Sequence, residues 1–222
     1  MTLPNKDYCF EICVETPTAL MAAIGISDRI ELCSGLDVGG LTPDIGMMQL
    51  ATEIGVETHV LIRPHCGDFT MDAGDLTVAL SSIRMVRQLG LKGVVIGAER
   101  DGVLDRQAME AMVNAAQGLD VTLHRVIDIL DDPIAALECA IELNISRILT
   151  SGGAPKAIDG AQGLCQLHEA ANGRIEIMAG SGINSQILPD LLATTPVTSF
   201  HASCSKKVPI DKRYPNFGFG AA

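Results

Sequence analysis

Carboxyl and thiol side chains alternate with apolar ones in two short β-branched runs near the start of the chain. Glu11 and Cys13 belong to the first run, and Glu31 and Cys33 belong to the second. Carboxyl groups serve general acid–base catalysis, and thiolates are ligands for soft metal ions. Either chemistry requires that the two runs lie side by side, so it depends on the elements that carry these residues.

Short β-branched runs alternate with longer helical segments along the whole chain. Eight runs are predicted to be strands, over residues 8–14, 29–32, 58–62, 93–96, 121–124, 147–149, 176–179 and 197–201. Seven helices are predicted between them, over residues 17–24, 44–54, 74–89, 105–116, 133–143, 157–171 and 185–193. Eight units in 222 residues give about 28 residues each, which is close to the roughly 30 of a strand–helix–strand unit.

Eight such units either open into a doubly wound sheet or close into a barrel. A dinucleotide-binding sheet would place a GxGxxG motif after its first strand, whereas this chain continues with Glu15-Thr16-Pro17. We therefore predict the α/β class and a single (β/α)8 TIM barrel for residues 1–222. The barrel itself is expected over about 8–203, and the segment 204–222 is expected to be an irregular tail without a regular eighth helix, because it shows no 3.6-residue periodicity.

One face of each predicted strand points into the barrel, because alternate residues of a strand face opposite sides. By this parity the lumen or its mouth receives six charged or titratable residues, namely Glu11, Arg29, Glu31, Arg63, His124 and His201. Buried charges are costly unless they pair with each other or meet a ligand. Two interpretations stay open at this point, a structural network of ion pairs and a ligand site at the carboxyl ends of the strands.

An enzyme with this barrel would keep its chemistry at the mouth of the lumen. We interpret His124, Asp128, Glu11 and Glu31 as candidate acid–base residues. A small anion would be held by arginines and by the small residues of two late loops, namely Arg63, Arg125, Ser151, Gly152, Gly180 and Gly182. The alternative for each loop is a plain tight turn, which glycine also provides.

The thiols suggest a different ligand. Cys13 and Cys33 end two neighbouring predicted strands, about 4.8 Å apart in a sheet, and share the lumen face, so their sulfurs can meet. Two thiolates form a soft site of the kind that selects Cu(I). Against this stands the common role of a free cysteine as a small buried hydrophobe. The seven cysteines have no CxxC spacing, which favours reduced thiols over a disulfide framework.

Composition excludes several other classes of partner. The net charge is −11 and no basic cluster offsets it, so nucleic acid is an unsuitable partner. No run of 18 residues is free of charged or polar clusters, and the first residues lack a charged and apolar export signal. We therefore expect a cytoplasmic protein that does not associate with membranes.

Seven runs of the chain resemble the CutC family of copper homeostasis proteins. They are FEICVE (10–15), DRIELCSGLDVGGLTPDIG (28–46), IRPHCGDF (62–69), VTLHRVID (121–128), RILTSGG (147–153), MAGSGI (178–183) and FHAS (200–203). The resemblance implies a cytoplasmic (β/α)8 barrel that forms dimers or larger assemblies and handles copper. It also implies Cys13 and Cys33 as the Cu(I) ligands, within a polar mouth that looks like that of an enzyme.

The chain departs from the family pattern in two places. His65 and Cys66 stand where the family usually has Arg-Gly, which removes a positive charge from the mouth and adds a thiol. The tail lacks the eighth helix of the family fold, and the apolar wall left on the last strand favours a homo-oligomer. The sequence thus predicts a cytoplasmic Cu(I)-binding protein. The alternatives are a barrel enzyme that acts on a small anionic metabolite and a non-catalytic scaffold.

Overall fold

Eight parallel strands close into a barrel in the computed structural model, which describes residues 8–203. The barrel strands are β1 (Cys9–Val14), β2 (Arg29–Leu32), β3 (Thr58–Leu61), β4 (Gly93–Ile96), β7 (Asp120–Leu123), β8 (Arg147–Thr150), β9 (Glu176–Gly180) and β10 (Ser199–Ala202). A small antiparallel hairpin, β5 (Glu99–Arg100) and β6 (Val103–Leu104), follows β4. Strand β1 pairs with both β2 and β10, which closes the ring.

Helices cover the outside of this barrel. They are α1 (Pro17–Ala23), α2 (Ile45–Ile54), α3 (Ala73–Leu89), α4 (Arg106–Ala115), α5 (Pro133–Glu142), α6 (Ala161–Ala171) and α7 (Leu188–Thr194). Short polar side chains begin most of them by accepting a backbone N–H hydrogen bond; Asp72 and Asp75 form a reciprocal pair at the start of α3. None of the helices in the described part is long and apolar enough to cross a membrane.

The predicted fold class is confirmed, and all eight predicted strand runs form barrel strands. Two helices begin later than the periodicity indicates. Helix α6 starts at Ala161 because the preceding residues form turns that pack closely against the loop after β8. Helix α7 starts at Leu188, after a turn over residues 185–187 in which the N–H groups of Gln186 and Ile187 donate to Asn184 Oδ1. The predicted tail 204–222 lies outside the described residues, so the missing helix and the homo-oligomer stay predictions.

The floor of the lumen is a network around Arg147. Its guanidinium donates to Glu176 (3.0 Å), to Thr122 (3.2 Å) and to Asp120 (3.3 Å), all on the neighbouring strands β9 and β7. These residues begin their strands, so the network closes the amino-terminal end of the barrel. Structural roles are typical of that end of a TIM barrel. None of the six lumen residues predicted from strand parity belongs to this network, and Arg147, Glu176 and Asp120 were absent from the prediction.

His59 fills the lumen just above this floor. Its side chain is fully buried, and neither ring nitrogen has a hydrogen-bond partner among the described residues. Burial, aided by the charge of Arg29, lowers its pKa to about 4, so the ring is neutral at pH 7. The ring is accommodated because Gly93, its neighbour on β4, has no side chain: a Cβ there would lie 2.6 Å from the imidazole.

This close approach predicts a coupled pair of mutations. Gly93→Ala should destabilise the protein by about 1–3 kcal/mol, because the methyl group overpacks the lumen against His59. His59→Ala should remove most of that cost, so the effect of Gly93→Ala should be much smaller in the double variant. Urea unfolding of the four proteins measures both values. Equal costs of Gly93→Ala in the two backgrounds would show that His59 is not the obstacle.

Candidate functional site

Four charged side chains meet at the centre of the barrel, where β10, β1 and β2 lie side by side. Arg29 Nε donates to Glu11 Oε2 at 2.5 Å, and His201 Nδ1 lies 2.7 Å from the other oxygen of the same carboxylate. His201 Nε2 lies 3.5 Å from Glu31 Oε2. The strand register explains the meeting, because Glu11 is directly opposite Arg29 on one side and His201 on the other.

The two carboxyl groups of this cluster differ in acidity. Burial raises the pKa of Glu31 to about 7, and the charge of Glu11 adds to the effect. Burial acts in the same direction on Glu11, but the hydrogen bonds and charges of His201 and Arg29 outweigh it and lower its pKa to about 2. The pKa of His201 is raised well above its usual value: burial opposes this, but hydrogen bonds with Cys13 and Glu11 and the charge of Glu31 prevail.

The predicted thiol pair lies next to this charged cluster. Cys13 and Cys33 are both buried and pack in one small apolar cluster with Leu61 and Val95. Cys13 also approaches Glu31 and His201; one ligand atom of each of these three residues lies within 4.8 Å of the others. Burial, and then the charge of the nearby Glu31, raises the pKa of the Cys33 thiol well above its usual value.

Arg63 and His124 lie at the mouth, above the thiols. The guanidinium of Arg63 donates to the carbonyls of Val38, Gly40 and Gly67, so it ties two loops together. It also lies over the ring of Phe69, with Cζ 4.9 Å from the centroid, a cation–π contact. The interpretation of the lumen charges as a network of ion pairs does not extend to Arg63, because these carbonyls and this ring surround its guanidinium instead.

His124 is buried against Phe69, with 4.7 Å between the ring centroids. Burial, and then the charge of Arg63, lowers its pKa to about 3, so the imidazole is neutral. Its Nδ1 accepts the backbone N–H of Val126 at 3.1 Å, which places the proton on Nε2. That Nε2 and the Nε of Arg63 are buried donors without a partner in the described part of the chain.

The predicted anion loop after β8 is bonded to a side chain of the protein. The carboxylate of Asp128 accepts the backbone N–H groups of Ser151 and Gly153 and the hydroxyls of Thr150 and Ser151. Arg125 donates to Asp128 and to Ser151, both at 2.8 Å. Asp128 therefore occupies the position that an external anion was expected to take, and the structure gives it a positioning role. Its catalytic role and anion binding by Arg125 and Ser151 stay predictions.

The glycines of the two late loops are required by close packing. Gly152 has φ +74° and touches the backbone of Gly160 so closely that no side chain fits. Gly180 leaves room for Leu149 inside the lumen, and Gly182 has φ +73° and lies against the stem of Lys156. Local packing or backbone conformation thus accounts for each glycine, which agrees with the alternative interpretation of these loops as tight turns. Anion binding at Gly152, Gly180 and Gly182 stays a prediction.

Asp68 and Cys66 belong to the loop after β3, and Asp68 lines the same pocket as Arg63 and Phe69. Asp68 is exposed and accepts two hydrogen bonds from Thr70 in its own loop. Cys66 is exposed and free, and His65 contacts the carbonyls of Cys66 and Thr70. The exposed Cys66 does not share the buried environment of Cys13 and Cys33. Phe69, which stacks against both Arg63 and His124, was missed because an aromatic residue in a loop carries no signal of its own.

Comparison with known proteins decides the family. The model of the CutC family matches residues 8–206. This chain belongs to the CutC family. A CutC family protein of Agrobacterium fabrum is 46% identical over 217 residues, which cover 96% of this chain and 86% of the relative. One from Bacteroides thetaiotaomicron is 40% identical over 215 residues, covering 95% and 86%.

Solved structures agree with the assignment to the CutC family. A crystal structure from Streptococcus agalactiae, described there as a copper homeostasis protein CutC, superposes with a TM-score of 0.85 at 28% identity. It covers 89% of this chain and 99% of that one. A dihydrodipicolinate synthetase-like structure from Pseudomonas aeruginosa matches with a TM-score of 0.62 at 12% identity, covering 89% of this chain and 71% of its own length. That second likeness shows the barrel fold alone.

The buried position of Glu11 predicts a pH-dependent effect. Glu11→Gln should destabilise the protein by about 3 kcal/mol near pH 5, because it leaves the buried Arg29 without a charged partner. The stabilisation from Glu11 is complete above its unfolded pKa of about 4.5 and is lost as pH falls towards its folded value of about 2. The difference between variant and wild type should therefore shrink below pH 4, as measured by urea unfolding.

Glu138→Gln is the matched control, because it removes a carboxylate that pairs with Arg174 at 2.6 Å on the exposed surface. That substitution should change stability little at any pH. A constant difference for Glu11→Gln from pH 5 to pH 2 would contradict the assigned acidity.

Proposed function

We propose that this CutC family protein acts in cytoplasmic copper homeostasis and binds Cu(I) between Cys13 and Cys33. The observation that carries the proposal is the packing of both thiols in one buried cluster, on neighbouring strands and next to Leu61 and Val95. Soft thiolate ligands select Cu(I) over the hard divalent ions. The name of the Streptococcus agalactiae relative supports the role in copper homeostasis.

The surroundings of the thiols suit a soft cargo ion. Apolar side chains border both sulfurs, since Leu36 packs against the cluster from the loop above. An apolar shell limits access of water to a metal and lowers the local dielectric constant. Cu(I) would bind as the ion that the protein handles and not as a resident cofactor. Each thiol must lose its proton when the metal binds.

The thiol pair can be tested by anaerobic titration of the full chain with Cu(I) against a chromophoric Cu(I) chelator. Wild type should bind one tight Cu(I) per chain. Cys33→Ala should lower the affinity at least 100-fold, because one of the two soft ligands is removed. Cys139→Ala, which alters a half-buried thiol on α5 far from the barrel lumen, should bind as wild type does.

A double variant, Cys13→Ala with Cys33→Ala, that binds Cu(I) with wild-type affinity would refute the assignment. Near-ultraviolet absorption of the Cu(I)–thiolate bond provides a second readout, which should disappear in the double variant.

A second candidate function is catalysis on a small anionic metabolite by acid–base chemistry. The observation that favours it is the pair of unpartnered buried donors, His124 Nε2 and Arg63 Nε. Arg63 lines a small pocket together with Phe69 and Gly97, and His124 packs against the ring of Phe69. A carboxylate or phosphate oxygen would satisfy both donors, and unsatisfied buried donors are costly. Glu11 and Glu31, with their separated pKa values, are the acid–base candidates of that reaction.

A thermal-shift screen of carboxylated and phosphorylated metabolites tests this second function. A metabolite that occupies the mouth should raise the melting temperature of wild type, and His124→Gln should abolish the shift because the Nε2 donor is displaced. His168→Gln, on the exposed face of α6, should leave the shift unchanged. A screen without any stabilising compound, or an equal loss in His168→Gln, would count against the candidate.

A further inference from the structure

We propose that Cys13, Glu31 and His201 form a binding site for one divalent cation of the zinc class at the centre of the barrel. The site shares Cys13 with the thiol pair but does not use Cys33, and it does not depend on the proposed role in copper handling. It would hold an ion of different chemistry, through one sulfur, one oxygen and one nitrogen.

The distances suit a single small ion. One ligand atom from each of the three residues lies within 4.8 Å of the other two. Two ligands about 2.1 Å from an ion at a tetrahedral angle lie about 3.4 Å apart, and His201 Nε2 lies 3.5 Å from Glu31 Oε2. The three residues are buried or nearly so, so their positions are fixed by the strands that carry them. Binding therefore requires only a small adjustment of side chains.

Glu11 and Arg29 orient the imidazole of His201 towards the proposed ion. Glu11 Oε1 lies 2.7 Å from His201 Nδ1, and Arg29 holds the other oxygen of Glu11 in place. The Nδ1 proton stays directed at that carboxylate, and loss of the Nε2 proton on metal binding gives a lone pair that faces Glu31. A carboxylate that accepts the second N–H of a histidine is the usual support of a metal-ligating imidazole. Coordination by the thiol pair alone would not require this arrangement.

The ligand types and charges select the class of ion. Mg²⁺ and Ca²⁺ take oxygen ligands, whereas a mixed sulfur, nitrogen and oxygen set suits Zn²⁺. A Cys13 thiolate and a Glu31 carboxylate together neutralise a divalent ion, and Arg29 and Glu11 neutralise each other. The loaded site therefore buries no net charge, which avoids the main cost of placing ions in a protein interior.

Three protein ligands leave a fourth coordination position open. Open zinc sites of this type bind a water molecule or a substrate, whereas structural zinc sites are closed by four protein ligands. The site lies inside a barrel whose chemistry is expected at the carboxyl ends of the strands. An ion at this position would thus be available to a ligand that enters from the mouth.

The test uses the full chain after removal of metals with a chelator, and the probes are Zn²⁺ and Co²⁺. Zn²⁺ affinity is measured by competition with a chromophoric chelator, and Co²⁺ reports thiolate coordination through its charge-transfer absorption. Wild type should bind one ion per chain. His201→Gln and Glu31→Gln should each weaken Zn²⁺ binding at least tenfold. Glu11→Gln should weaken it about 10–100-fold, because it removes the carboxylate that orients His201.

Cys33→Ala separates this site from the thiol pair. The variant should keep wild-type Zn²⁺ affinity while it loses tight Cu(I), and His201→Gln should show the opposite pattern. His59→Gln is the matched control for a buried lumen histidine and should keep both metals. Circular dichroism of each variant verifies folding, and the Glu31→Gln result stands if His201→Gln fails to fold.

Absence of Zn²⁺ and Co²⁺ binding by wild type would overturn the site, whatever the result with Cu(I). Zn²⁺ binding that survives His201→Gln but is lost in Cys33→Ala would also overturn it, because the ion would then lie between the thiols. If the Cu(I) titration excludes the thiol pair while Zn²⁺ binding shows the expected pattern, the copper proposal alone is refuted and this site is supported.

Discussion

The buried guanidinium of Arg29 is the constraint on which the centre of the barrel depends. A charge at that depth needs a carboxylate, and Glu11 on the adjacent strand provides it. Because Arg29 uses one carboxylate oxygen, the other remains for His201, and this contact spans the seam between the first and last barrel strands. The same contact orients the imidazole ring next to Glu31 and Cys13, so closure of the barrel and assembly of the site have one cause.

The barrel and the inner ring of residues could be predicted from the sequence, because both follow from periodicity. In a closed barrel, the alternation of side chains along a strand determines which of its residues face inward. Glu11, Glu31 and His201 therefore converge as their positions in the runs indicate. The partner of each charge was less predictable, since parity gives the direction of a side chain but not its height along the axis. Arg63 illustrates this, because its guanidinium donates to carbonyls of the loop after β2 and not to either glutamate.

Residues beyond the ends of strands were the hardest to place. A short 3-10 helix, Arg125–Ile129, follows β7 and turns Asp128 towards the loop after β8. Nothing in a single sequence distinguishes an aspartate that bonds to a glycine-rich loop from one that faces a substrate. His124 shows the same limit: the parity argument places it inward, yet its unpartnered Nε2 depends on the local turn that engages Nδ1.

The network of Arg147 fills the amino-terminal end of the barrel interior. With Glu176, Thr122 and Asp120 bridged at that end, and with His59 packed above them against Gly93, the described side chains form a packed core there and not a channel. The proposed copper ion would therefore both reach and leave the thiols from the opposite end, past Phe69 and the loops that Arg63 ties together.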